Sequence, residues 1–151
     1  MNILISACLL GVSCRYGGRS VPLPDTVISE LKCRYRLIPV CPEIMGGLPT
    51  PRSPAEILRG QEKVIRKDGV DVTEAYRRGA EETLRLAHLF DCKLAVLKER
   101  SPSCGKGRIH DGSFSGAMTD GDGITTALLR QNGIEVIGES EIPQLLSHGA
   151  L

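Results

Sequence analysis

Tryptophan is missing from this chain, and three tyrosines and two phenylalanines are its only Tyr and Phe residues. So sparse an aromatic set argues against the stacking platforms that bind single-stranded nucleic acid. Neither sign of charge is in excess: 19 Lys and Arg stand against 18 Asp and Glu, interspersed, for a net charge of +1. The basic footprint needed for DNA, for tRNA or for an anionic membrane surface is therefore lacking, and a small-molecule partner is expected. No apolar run exceeds the length of a strand, so no segment spans a bilayer. Met1-Asn2 leads directly into a strand pattern, without the basic and apolar regions of a signal peptide, so a cytoplasmic location is expected. No linker-like stretch, repeat or low-complexity tract divides the 151 residues, a length suited to one core, so one domain over 1–151 is expected.

What is present is an alternation of strand-like and helix-like periodicity. Ile3–Ser6 reads as a buried strand, Asp25–Tyr35 as a short helix and Arg36–Val40 as a second strand. Ala55–Leu58 and Lys63–Arg66 read as a small antiparallel hairpin turning at Gly60-Gln61. Asp71 caps the next expected helix, whose inner face is Val72, Tyr76, Ala80, Leu84 and Ala87. Lys93–Lys98 is a third strand, Gly123–Asn132 a helix closed by Gly133, Ile134–Ile137 a fourth strand, and a last helix starts near Glu141. This order predicts an α/β fold: a doubly wound, mostly parallel, Rossmann-like sheet with the hairpin at about 55–66.

Six cysteines need an explanation in a reducing compartment, where thiols more often mean metal binding or catalysis than disulfides. None forms a CxxC, which removes zinc ribbons and thioredoxin-type motifs. Cys33 and Cys92 fall in helix or helix-end positions, where a small buried hydrophobe is expected. The other pattern is positional. "NILISAC" ends in Cys8, "YRLIPVC" in Cys41, and "KLAVLKERSPSCG" carries Cys104 just past its strand. Parallel strands bring all three to the carboxyl edge of one sheet, where open α/β sheets bind ligands. Three thiolates suit zinc with an open position, although catalytic zinc sites usually include His, and His88, His110 and His148 are poorly placed. An iron–sulfur cluster suits an all-thiolate shell better, and three ligands leave one iron of a [4Fe–4S] cube free. Cys14, close behind Cys8, is a possible extra ligand whose binding would close the cluster and favour a redox or structural role.

The segments "SACLLGVSCRYGG", "PVCPEIMGGLPTPRSPAEI", "LKERSPSCG" and "GAMTDGDGITTALL" resemble the thiouracil desulfidase family, and the resemblance runs along essentially the whole chain. It implies an oxygen-sensitive [4Fe–4S] cluster on Cys8, Cys41 and Cys104, with Glu43 and Ser101 beside the iron that no protein ligand occupies. It also implies non-redox hydrolytic desulfurisation of a thiolated pyrimidine, 2- or 4-thiouracil or a thiouridine mononucleotide, with release of hydrogen sulfide. Gly17 stands where that family carries an Asp. Glu43, two residues from a cluster ligand, is placed for proton transfer. Arg52, in a proline-braced loop, is positioned to pair with Glu43 or a substrate anion, and Lys106 to receive a phosphate. The alternatives are a closed-cluster redox or structural protein and a zinc-dependent nucleobase hydrolase.

Overall fold

A computed structural model describes residues 1–58 and 60–148; Arg59 and residues 149–151 lie outside the described residues. Four parallel strands form the central sheet: β1 (Asn2–Ser6), β2 (Arg36–Val40), β5 (Leu94–Leu97) and β8 (Glu135–Gly138), in the order β2-β1-β5-β8. The central strands are covered on both faces, which is why they read as continuous apolar runs rather than alternating ones. Pro39 has no N–H to give a second neighbour, and β2 accordingly lies at the sheet edge.

Successive residues of β1 and β5 point to opposite faces, so each strand feeds two cores. Ile3, Ile5 and Val96 pack with Leu31 of α1 (Asp25–Arg34) and with Ile142 and Leu145 of α5 (Ile142–His148). Leu4, Ala95 and Leu97 pack with Ala87 of α3 (Thr73–Leu89) and Leu129 of α4 (Ile124–Gln131). This is the expected doubly wound arrangement. The hairpin of β3 (Ala55–Leu58) and β4 (Lys63–Arg66) also forms where the sequence placed it. Gly133, at φ +78°, ends α4 as expected. Among the described residues no helix is long and apolar enough to cross a membrane.

Three features depart from expectation. The helical backbone of α3 begins at Thr73; Asp71 still serves its first turn, its Oδ1 accepting the Thr73 N–H at 2.9 Å. A single turn, α2 (Pro42–Met45), follows Cys41, too short to carry a periodicity. No strand is expected between the third strand, Lys93–Lys98, and the helix over Gly123–Asn132, yet β6 (Arg108–His110) and β7 (Met118–Asp120) form a second hairpin there. Their three-residue strands carry no apolar alternation long enough to read.

Candidate active site

The chain leaves β1 through α1 to β2, then returns by way of α3 to β5 on the opposite side of β1. The order therefore reverses between β1 and β5, and the crevice beyond their carboxyl ends is the expected ligand position. A cavity of about 560 Å³ opens there, lined by Cys8, Cys14, Cys41 and Cys104 together with Glu43 and Ser101. Six of the eight residues proposed from the sequence thus meet in one place.

Each thiol is set by local chemistry. Cys8 sits in a turn of 3₁₀ helix, Ala7–Leu10, that continues β1 and closes at Gly11, whose φ of +98° suits only glycine well. Cys41 directly follows β2 and precedes Pro42, which starts α2 without needing an N–H partner. Cys104 is fixed by a lattice of loop bonds. The Ser101 hydroxyl oxygen accepts the N–H groups of Ser103 and Cys104, both at 3.0 Å, and the Thr126 hydroxyl donates to the Cys104 carbonyl at 2.8 Å. Gly123 permits this closeness, since a Cβ there would lie 2.4 Å from the Ser103 carbonyl oxygen. Cys14 lies beside Cys41, whose thiol donates to the Cys14 carbonyl at 3.7 Å.

Burial controls the thiols. It pushes Cys8 up to about 11, against a lowering by Arg15. Burial and then the neighbouring Cys41 push Cys14 up to about 12, and burial followed by Glu43 raises Cys104. Thiols so shifted hold their protons at neutral pH, and a metal must displace those protons to bind. Among the described residues no three His, Cys, Asp or Glu side chains converge tightly enough for a single metal ion. Thiols that line one cavity supply the all-thiolate donor set of a cubane, which takes each thiolate on a separate iron. The donor set and its placement therefore fit a [4Fe–4S] cluster.

Glu43 is held from two sides. The Tyr76 hydroxyl donates to its Oε1, and Arg52 Nη2 donates to its Oε2. Tyr76 reaches it because α2 and α3 touch through glycines: a Cβ on Gly79 would lie 1.9 Å from the Pro42 carbonyl oxygen, and one on Gly46 at 1.9 Å from that of Ala75. Burial and then Glu43 raise the Tyr76 hydroxyl well above the usual phenol range, so it remains a donor. Arg52, its side chain only 4% exposed, also donates to the carbonyls of Cys14 at 2.9 Å and Pro49 at 3.1 Å. It is a buried strut behind Glu43 and does not line the cavity.

Lys106 is not brought to the cavity either; its ammonium donates to both oxygens of Glu141, at 3.0 and 3.1 Å. Cys92 is buried as expected, but Cys33, near the end of α1, is exposed. Gly17 faces open space, so the missing Asp side chain leaves no void behind it. Sequence reasoning missed Tyr76, His110 and Phe114 in the cavity wall. Tyr76 read only as a core position of a helix, and the other two belong to the hairpin that carried no periodicity.

Comparison with known proteins places the chain. A family model described as 2-thiouracil desulfurase matches residues 3–141. The uncharacterized protein YbbK of Bacillus subtilis (strain 168) is 43% identical over 152 residues, covering 95% of this chain and 99% of its own length. A solved structure described as the [4Fe-4S]-dependent thiouracil desulfidase TudS is 46% identical and superposes with a TM-score of 0.90, over 97% of this chain and 96% of its own.

Proposed function

The chain belongs to the 2-thiouracil desulfurase family, and from that premise we propose that it desulfurises a thiolated pyrimidine with a [4Fe–4S] cluster on Cys8, Cys41 and Cys104. The observation that carries this is the convergence of these thiols, with Glu43, on one cavity at the switch point of the sheet. When bound, the cluster supplies one iron without a protein ligand, a soft Lewis acid suited to a thiocarbonyl sulfur. The net change is C=S plus water to C=O plus hydrogen sulfide, which balances without an electron donor.

The chain's own groups move the protons. Each Glu43 oxygen accepts one bond from Tyr76 or Arg52 and retains a further lone pair toward the cavity. Glu43 takes a proton from the attacking water and passes it to the departing sulfur; the second water proton follows as the oxo group forms, so both leave with hydrogen sulfide. Ser101 uses its oxygen to hold the Cys104 turn and keeps its hydroxyl proton to orient substrate or water. Arg52 positions Glu43 and does not itself touch substrate. Cys14 stays off the cluster as a neutral thiol beside Cys41. Arg15, Lys67 and Arg100 also line the cavity and, among the described residues, have no carboxylate within ion-pair distance, so a phosphate-bearing thiolated mononucleotide is accommodated. Six free cysteines suit the reducing cytoplasm.

Anaerobic purification tests the cofactor. The expected result is a brown protein with about four irons and four acid-labile sulfides per chain. Stoichiometric zinc without sulfide returns the nucleobase-hydrolase alternative. An intact cluster that Cys14→Ser strips as fully as Cys8→Ser returns the closed-cluster one.

A further inference from the structure

We infer that Phe114 is the surface on which the substrate's pyrimidine ring stacks, with His110 meeting the ring's polar edge; this rests on the desulfidase function proposed above. Both residues come from the β6–β7 hairpin and its loop, and both line the cavity that holds the thiols. Phe114 has φ +56°, a left-handed backbone that a bulky residue adopts only when its surroundings impose it.

Glu56 imposes it. This carboxylate, buried on β3, accepts the N–H of Gly112 at 2.9 Å and of Phe114 at 3.2 Å on the same Oε1. Gly112 lies so close to β3 that a Cβ would be 2.7 Å from the Ile57 carbonyl oxygen. Asp111 ties the loop from within, its Oδ1 accepting the Ser113 N–H at 2.9 Å and hydroxyl at 2.5 Å. The loop is thus specified around one half-buried apolar ring.

The other two Tyr or Phe rings in the wall are already engaged. Tyr76 is buried with its hydroxyl on Glu43, and Tyr16 carries the Arg15 guanidinium 5.8 Å over its ring. His110 supplies an independent observation: it lines the cavity, and its Nδ1 is buried with no hydrogen-bond partner among the described residues, which leaves an unmet polar atom in the imidazole at the cavity wall. A thiouracil offers both ring N–H and oxo groups, so either imidazole tautomer finds a partner. The preferred substrate is therefore a planar thiolated ring and not any thiocarbonyl.

The test uses cluster-loaded protein, with 2-thiouracil as substrate and thiourea, which has soft sulfur but no ring, as inhibitor. Phe114→Ala raises KM about tenfold, equal to about 1.4 kcal/mol and in the range of single base–aromatic stacks. Its kcat stays within about threefold, and the thiourea inhibition constant does not move. Glu56→Ala reproduces the KM rise, and Glu56→Gln, which keeps an acceptor oxygen, restores the parental value. Calorimetry with uracil reads the stack without turnover: Phe114→Ala and His110→Ala each weaken binding severalfold or more. Equal uracil affinities in parent and variants overturn the assignment, as does a parallel loss of thiourea inhibition. A parent that binds uracil in this way but desulfurises nothing overturns the proposed function and leaves the stack standing.

Discussion

Replacing Arg52 by Met tests the strut behind Glu43. The guanidinium is 4% exposed in its side chain and the carboxylate 17%, so the pair is largely shielded from water. Removing one partner of a buried pair costs about 3–5 kcal/mol, because the other charge is left uncompensated. Glu43 keeps the Tyr76 hydroxyl and some solvent, which places the cost near the lower bound, about 3 kcal/mol. For a chain of this size 1 kcal/mol moves Tm by about 2–4 °C, so cluster-loaded Arg52→Met should melt about 6–12 °C lower than the parent. The cluster absorbance should survive, since Arg52 touches no proposed ligand thiol. Turnover should fall more than affinity, because a freed Glu43 no longer points where water attacks. Combining Arg52→Met with Glu43→Gln isolates the pair: the double variant should be less destabilised than the two single losses added, by about 2 kcal/mol. Additivity within about 0.5 kcal/mol, or a Tm within 1–2 °C of the parent with turnover unchanged, would refute the strut.

Further outcomes follow from the same geometry. Glu43→Gln should retain the cluster, read from its visible absorbance, while kcat falls by about 10²–10⁴, the usual contribution of a general acid–base group; a change of only a few-fold reduces Glu43 to scaffolding. Cys8→Ser, Cys41→Ser and Cys104→Ser should each lose or degrade the cluster by iron and sulfide assay, whereas Cys33→Ser, on an exposed site, should be silent and Cys92→Ser should keep the cluster at a modest packing cost. Gly79→Ala, which would strengthen an open helix, should instead destabilise by about 2 kcal/mol or more in thermal unfolding, because its Cβ would meet the Pro42 carbonyl oxygen at 1.9 Å. A Gly79→Ala protein as stable as the parent would mean that α2 and α3 can separate.

The parts of the fold that the sequence made legible are those whose burial leaves a periodic trace. β1, β2, β5 and β8 are short apolar runs because parallel strands are covered on both faces. The β3–β4 hairpin was legible residue for residue as two short strand-like runs on either side of the Gly60-Gln61 turn. The β6–β7 hairpin left no such trace, since its strands are three residues long, too short to show a period. The thiols were legible because position past a strand end is itself information in a parallel sheet. Tyr76 was not: it lies 33 residues from Glu43, and only the glycine-mediated crossing of α2 and α3 makes its hydroxyl a partner. Lys106 and Arg52 looked alike as loop cations near cysteine motifs. The structure turns one toward Glu141 and the other toward Glu43, an outcome set by packing that no local pattern encodes.

The most direct measurement incubates cluster-loaded protein without oxygen or reductant with 2-thiouracil, 4-thiouracil and 4-thiouridine monophosphate, following thiocarbonyl absorbance and hydrogen sulfide together. A cluster-dependent hydrolytic desulfidase gives one hydrogen sulfide and one oxo-pyrimidine per thiocarbonyl lost, over many turnovers, from at least one of the three. No reaction while the cluster stays intact, or a need for a reductant at every turnover, would contradict it.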